Sequence, residues 1–143
     1  MELKASIEWQ DRLAFTARLD GHEFTMDTSR EAGGEDRGPR PKGLLLAALA
    51  GCTGMDVVSM LKKMKVNVQR LVIETDAKVA DTHPKKVTAI AVRYLFFGDG
   101  LPAESIRRAV ELSETKYCGV GATLKPGVAI HSQIFINDEP LPA

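Results

Sequence analysis

The sequence predicts a single-domain α+β protein with antiparallel sheets. Segments in which apolar and polar residues alternate, the pattern of half-buried strands, lie near both ends of the chain and in its middle. Two segments with helical spacing interrupt them, so the predicted order is β-β-β-α-β-β-α-β. A length of 143 residues suits one domain, over 1–143, that can bury a substantial core.

Three strands are expected before the first helix. The alternating segments are residues 5–9, 13–19 and 22–28. Asp20 and Gly21 separate the last two, and this pair is typical of a tight hairpin, which predicts an antiparallel meander. Residues 29–43 are rich in glycine, proline and charge, and they predict a linker to the rest of the chain.

A long helix over residues 43–65 is the least ordinary feature of the sequence. Pro41 suits its first turn, and lysines near its end complement the helix dipole. Residues 44–50 are apolar in every direction around the axis, which predicts a central helix buried on all sides. A domain this small cannot easily surround such a helix with its own chain, so we expect a second copy to cover it.

The second half of the chain predicts two strands, a helix and a last strand. Residues 68–80 alternate, and residues 87–97 are apolar on both faces, as in a central strand. Residues 102–117 have the stripe of an amphipathic helix, and residues 127–138 read as the last strand.

Composition argues against several classes of function. Lysine plus arginine and aspartate plus glutamate number 19 each, which disfavours a nucleic-acid-binding surface. No run reaches the roughly 18 apolar residues that a membrane span needs, and the N-terminus lacks the core of a signal peptide. We therefore expect a cytoplasmic protein with no membrane partner. Structural disulfides are rare there, so two cysteines suggest redox chemistry or packing.

Cys52 lies within the long helix and allows two interpretations. It can be an inert buried thiol, or a reactive one whose neighbours Gly51 and Gly54 let another backbone or a substrate approach closely. Asp56, four residues on, lies on the same helical face and disfavours a thiolate. A reactive Cys52 therefore needs a nearby cation, for which the candidates are Arg12, Arg18, Arg37 and Arg40.

Cys118 follows the second helix, where the helix dipole favours a thiol over a thiolate. A thiol that stays protonated and reacts second suits a resolving cysteine. The alternative is that Cys118 is only a buried packing residue. The histidines are scattered and show no ligand spacing such as C-x-x-C or H-x-x-x-H, so no metal site is expected. No phosphate-binding loop is present either, and we expect no cofactor.

The segments "LLLAALAGCTGMDVV" and "KYCGVGATL" together resemble the OsmC/Ohr superfamily of osmotically inducible and organic hydroperoxide resistance proteins. The resemblance spans essentially the whole chain. It implies an intertwined homodimer in which sheets wrap two long central helices. It also implies that Cys52 attacks an organic hydroperoxide to form a sulfenic acid and that Cys118 then closes a disulfide. A dithiol reductant, often lipoyl-linked in the family, would restore both thiols.

The sequence departs from the peroxidase branch at one place. That branch has a glutamate before the cysteine helix, in a motif like N-P-E-Q-L, which partners an arginine. Here the stretch is "RPKGLLL", so Lys42 or Gly43 takes the place of the glutamate, and both Arg12 and Arg18 are candidates for the arginine. Lys42 can supply positive potential near Cys52, bind an anionic substrate tail, or be solvated. The chain is more similar to a less characterised branch of OsmC-like proteins.

Three functions therefore stay open on sequence grounds. The first is a thiol-dependent peroxidase in oxidative-stress defence, with Cys52 and Cys118 as its catalytic residues. The second is a non-enzymatic dimer that binds an apolar ligand, such as a fatty acid or an isoprenoid, at its interface. The third is a sulfur-handling enzyme in which Cys52 passes or receives a persulfide.

Overall fold

The computed structural model describes all 143 residues and divides the chain into two compact units, residues 1–45 and 46–143. The first unit holds an antiparallel sheet in the order β1-β2-β3. Its strands are β1 (Ala5–Trp9), β2 (Phe15–Leu19) and β3 (His22–Met26). Asp20 and Gly21 adopt φ of 52° and 77°, the left-handed conformations that a tight hairpin turn requires. The predicted meander is confirmed.

The segment predicted as a linker is hydrogen-bonded to Asp27, the residue directly after β3. Before α1 begins at Pro41, its only helical turn is a 3-10 turn at Arg30–Ala32. The buried carboxylate of Asp27 accepts hydrogen bonds from the backbone N–H groups of Thr28, Glu35 and Arg37 at 2.8, 3.2 and 3.2 Å. These bonds, with that of Thr28 the strongest, hold the pKa of Asp27 below its usual value.

Helix α1 spans Pro41–Lys63, close to its predicted bounds. Its buried residues recur every fourth position and form one stripe: Leu49, Thr53, Val57 and Leu61. Met55 and Val58, away from that stripe, are 77% and 54% exposed, so one chain alone does not bury the helix on all sides. By length and composition α1 could cross a membrane, a test that core helices of soluble proteins also pass.

The second unit holds a four-stranded sheet in the order β4-β5-β6-β7. The strands are β4 (Arg70–Val79), β5 (Val87–Phe97), β6 (Ala129–Ile136) and the short β7 (Glu139–Pro140). β5 pairs antiparallel with β4 but parallel with β6. The prediction of antiparallel pairing throughout is therefore wrong for β5 and β6. A helical crossover joins these two strands, and such a connection returns the chain in the same direction.

That crossover consists of three short elements rather than one helix. Helix α2 spans Ala103–Leu112, a π-turn continues it over Ser113–Tyr117, and helix α3 spans Gly119–Leu124. Alternate residues of β5 are buried in a core cluster that also contains buried residues of α1 and α2: Ile90, Val92, Tyr94 and Phe96. The opposite face of β5 is mostly half-buried, so the expectation that both faces are covered is met on only one face within this chain.

Candidate active site

The two cysteines, 66 positions apart in the sequence, meet in the second unit. Cys52 lies in the middle of α1 and is half-buried, and Cys118 lies directly before α3 and is 6% exposed. Both are free thiols. The two sulfur atoms and a carboxylate oxygen of Asp56 all lie within 4.8 Å of one another. Two thiols this close can form a disulfide after a small side-chain movement.

The surroundings of Cys118 keep it in the thiol form. Its Sγ accepts a hydrogen bond from the backbone N–H of Gly121 at 3.3 Å. Burial raises the pKa of the Cys118 thiol, and the nearby Cys52 and Asp56 raise that pKa further, while the Gly121 N–H opposes them. A neutral thiol beside Cys52 is the state expected of a resolving cysteine, and that role of Cys118 stays a prediction.

A chain of buried hydroxyl groups starts beside the thiols. Thr53, the neighbour of Cys52 in the sequence, is 2% exposed, and its Oγ1 lies 2.8 Å from Ser113 Oγ and 2.9 Å from Tyr94 Oη. Ser113 donates to Asp56 at 2.9 Å, and Tyr94 donates to Glu114 at 3.1 Å. Burial raises the pKa of Tyr94, so its hydroxyl keeps its hydrogen. The chain links the carboxylate beside the thiols to Glu114.

Two spaces adjoin this chain. A cavity of about 90 Å³ is lined by Cys118, Tyr94, Glu114 and Lys125 with apolar residues around them. At about 30 Å³ for each water, it has room for roughly three waters or a small reactant. A groove of about 610 Å³ lies between α2 and β6, and Glu114 lines it as well. Glu114 is therefore the residue at which the groove, the cavity and the hydroxyl chain meet.

The sequence interpretation missed four members of this chain: Thr53, Tyr94, Ser113 and Glu114. Tyr94 could have indicated a buried hydrogen-bond network from the sequence alone, because a tyrosine in an apolar central strand needs a hydrogen-bond partner for its hydroxyl. The partners come from α1 and the π-turn, and only the fold brings those elements together.

The arginines predicted as candidate activators are engaged with acids of the first unit. The ion pairs are Arg12–Glu35, Arg18–Glu23, Arg37–Asp11 and Arg40–Asp36. Lys42 is exposed in the first turn of α1. An activating or substrate-binding role for these five residues stays a prediction.

The two glycines beside Cys52 differ in their surroundings. A Cβ added at Gly54 would lie 2.9 Å from Ile73 Cδ1, so this glycine lets α1 pack closely on β4. That neighbour is a side chain of the core, whereas the sequence interpretation expected a backbone or a substrate. A Cβ at Gly51 would meet nothing within 4 Å, which leaves the predicted approach of another molecule open there.

The thiol pair and Asp56 are better suited to thiol chemistry than to holding a metal. A structural zinc site uses four ligands, and cysteine binds zinc as a thiolate. Burial raises the pKa of Cys118 and so disfavours its thiolate. The three side chains are one ligand short of such a zinc site. A role for them in reaction at sulfur stays a prediction.

Comparisons with known proteins identify the family of the chain. A model of the OsmC-like protein family matches residues 33–133, which include both cysteines. Protein YhfA of Escherichia coli K12 is 30% identical over 129 residues, 90% of this chain and 93% of YhfA. A hypothetical protein from Aquifex aeolicus VF5 superposes with a TM-score of 0.80 at 28% identity, covering 96% of this chain and 98% of that one. An organic hydroperoxide resistance protein, OsmC, from Legionella pneumophila shares the fold, with a TM-score of 0.70 at 14% identity over 94% and 96% of the two chains.

Proposed function

The chain belongs to the OsmC-like protein family, within the OsmC/Ohr superfamily, and from that premise we propose that it is a thiol-dependent peroxidase. Its substrate would be an organic hydroperoxide, as the name of the Legionella relative suggests. The observation that carries the proposal is the position of the Cys52 and Cys118 sulfur atoms and the Asp56 carboxylate, all within 4.8 Å of one another.

The reaction has two steps at these sulfur atoms. The thiolate of Cys52 attacks the terminal oxygen of the hydroperoxide, the O–O bond breaks, and the alkoxide takes a proton to become an alcohol. Cys118 then loses its proton and attacks the Cys52 sulfenic acid. The S–S bond forms, the S–O bond breaks, and the departing hydroxide leaves as water. A dithiol reductant, which we expect to be lipoyl-linked, returns both thiols.

A homodimer in the cytoplasm is part of this proposal. The support comes from the apolar residues of α1 that one chain leaves exposed, Met55 and Val58, and from the open space at Gly51. A second copy would cover this face and remove apolar surface from water. The same contact would close the surroundings of Cys52, which a single chain leaves half-buried.

Intact-mass spectrometry of the reduced protein after one equivalent of cumene hydroperoxide tests the peroxidase reaction. The wild type should lose two hydrogens within seconds, because both thiols enter a disulfide. Cys118→Ser should gain about 16 Da, the mass of one trapped oxygen, and Cys52→Ser should stay unchanged over the same time. A Cys52→Ser protein that reacts as fast as the wild type would remove Cys52 from the mechanism.

A ligand-binding dimer is the second candidate, and the groove between α2 and β6 favours it. Its volume of about 610 Å³ lies in the range of small-molecule sites, and Val110, Ile134 and Leu141 give it an apolar wall. Native mass spectra of the same samples would reveal a co-purified apolar ligand. An unreactive wild type that carries such a ligand would favour binding over peroxidase activity.

A further inference from the structure

A second groove lies at the C-terminal end of α1, entirely within the second unit. Its volume is about 650 Å³, and its walls are the last turns of α1 and the segment that follows as far as Leu71. We call it the basic groove. Leu61, a buried lining residue, follows Cys52 by nine positions, which is about 13 Å along a helix. The cysteine site contributes no residue to this groove.

All the charged residues that line the basic groove are cations: Lys62, Lys65 and Arg70. They are exposed, and none of them forms an ion pair with an acid of the chain. Residues 57–73 contain four cations and no acid, although the whole chain has no net charge. The basic groove is therefore a local concentration of positive charge that the protein does not itself neutralise.

Lys65 occupies a position at the end of α1 where glycine is usual. Its backbone N–H donates to the Lys62 carbonyl at 3.1 Å. The N–H of Val66 donates to the Leu61 carbonyl at 2.9 Å, which completes the pattern that ends many helices. Lys65 has a φ of 59°, a left-handed conformation that glycine adopts without steric cost. A lysine is unfavourable for the backbone here, so its charge is the property that a role in binding explains.

Arg70 and the apolar lining supply the other parts of a binding site. The Arg70 guanidinium lies 5.2 Å from the centre of the Phe97 ring, and this cation–π contact restrains it. A guanidinium can donate two parallel hydrogen bonds to a phosphate or a carboxylate. The apolar lining residues are buried or half-buried: Leu61, Val66, Val68 and Leu71.

We propose that the basic groove binds an anionic amphiphile, a molecule with one alkyl chain and a phosphate or carboxylate head. The head lies among Lys62, Lys65 and Arg70, and the alkyl chain lies against the apolar lining. A volume of about 650 Å³ is in the range of small-molecule sites. Because the cations hold the head while the chain leaves water, neither part alone binds as well as the two together.

The basic groove and the proposed dimer can exist together. Val58 lines the end of the groove nearest Cys52, and it is also a residue that the second copy would cover. The lysines begin four residues further on, and an apolar interface disfavours unpaired charges. A second copy on the apolar part of α1 therefore leaves the three cations in water. This inference goes beyond the peroxidase proposal and does not rest on it.

NMR titration of the isotope-labelled full chain with octyl phosphate tests both the binding and its place. Backbone amide signals of residues 61–71 should shift, and those of α2, beside the other groove, should not. Octanol has the chain without the charge, and inorganic phosphate has the charge without the chain. Each of these two probes should bind at least about tenfold more weakly than octyl phosphate.

Three variants test the residues that hold the head. Lys65→Gln should raise the Kd for octyl phosphate about tenfold, because a charge-assisted hydrogen bond is lost. Lys63→Gln is the matched control, since it removes the same charge from a helix residue that does not line the groove, and its Kd should change less than about twofold. Lys65→Gly should weaken binding as much as Lys65→Gln and yet raise the urea midpoint, because glycine adopts the left-handed conformation without strain.

Several outcomes would overturn the site. An equal loss in Lys63→Gln and Lys65→Gln would reduce the effect to general charge attraction. Inorganic phosphate that binds as tightly as octyl phosphate would remove the role of the apolar lining, and shifts confined to α2 would move the ligand to the other groove. Phosphatidylglycerol vesicles distinguish a free amphiphile from a membrane lipid. The protein should stay in the supernatant when the vesicles are pelleted, and co-sedimentation without binding of octyl phosphate would assign the cations to a membrane surface.

Discussion

Asp27 shows how one buried charge can organise a segment that the sequence pattern presents as a linker. Its carboxylate collects three backbone N–H groups from residues up to ten positions away. Arg37 also lies 3.5 Å from it and adds a favourable charge. Glycine, proline and charged residues correctly indicate irregular backbone, but nothing in the local pattern shows which side chain that backbone folds around.

The depressed pKa of Asp27 predicts loss of stability in acid. The folded protein binds a proton at Asp27 less readily than the unfolded chain, whose value is about 3.9. The stabilisation is therefore fully present above that value and is lost as the pH falls through the lower, folded pKa. Asp27→Asn should lower the urea midpoint at pH 7, and the difference from wild type should shrink toward about pH 3. A difference independent of pH would contradict this origin.

At the scale of elements, the long helix, the hairpins and the strands were predictable because their signals are local. The direction of β6 was not. A run of alternating residues is the same in either direction, and only the crossover through α2 and α3 decides that β6 runs parallel to β5. The candidate site divides in the same way. Cys52 and Cys118 can be identified as candidate site residues from the sequence. Thr53 and Ser113 cannot, because their hydrogen bond forms only when the fold brings α1 and the π-turn together.

Gly38 gives an element-level prediction about how the segment before α1 packs on β3. A Cβ at Gly38 would overlap the carbonyl oxygen of Thr25, a backbone atom that cannot move aside cheaply. Gly38→Ala should lower the free energy of unfolding by roughly 1–3 kcal/mol, the usual range for overpacking. Gly127→Ala is the control, since its Cβ meets nothing within 4 Å, and it should change stability by at most about 1 kcal/mol. Urea denaturation of both variants measures the difference.

For the whole molecule, the central question is what covers α1. The sequence makes the helix apolar in every direction, and the fold buries one stripe of it. Large apolar side chains left in water are unfavourable, and a continuous exposed patch is typical of an interaction surface. An apolar helix of this kind therefore predicts association with another molecule, because one chain of this size leaves part of the apolar surface of the helix exposed.

The proposed homodimer makes a prediction that separates assembly from folding. The wild type should sediment at twice the chain mass of 15.6 kDa, and Met55→Glu should sediment at the mass of one chain, because a charge would enter the buried interface. Val79→Glu is the control, since it places the same charge on an exposed apolar residue of β4, outside α1, and it should leave the dimer intact. Far-ultraviolet circular dichroism should show that Met55→Glu keeps its secondary structure. A wild type that sediments as one chain at micromolar concentration would mean that α1 keeps its exposed face in solution, and the dimer would have to be abandoned.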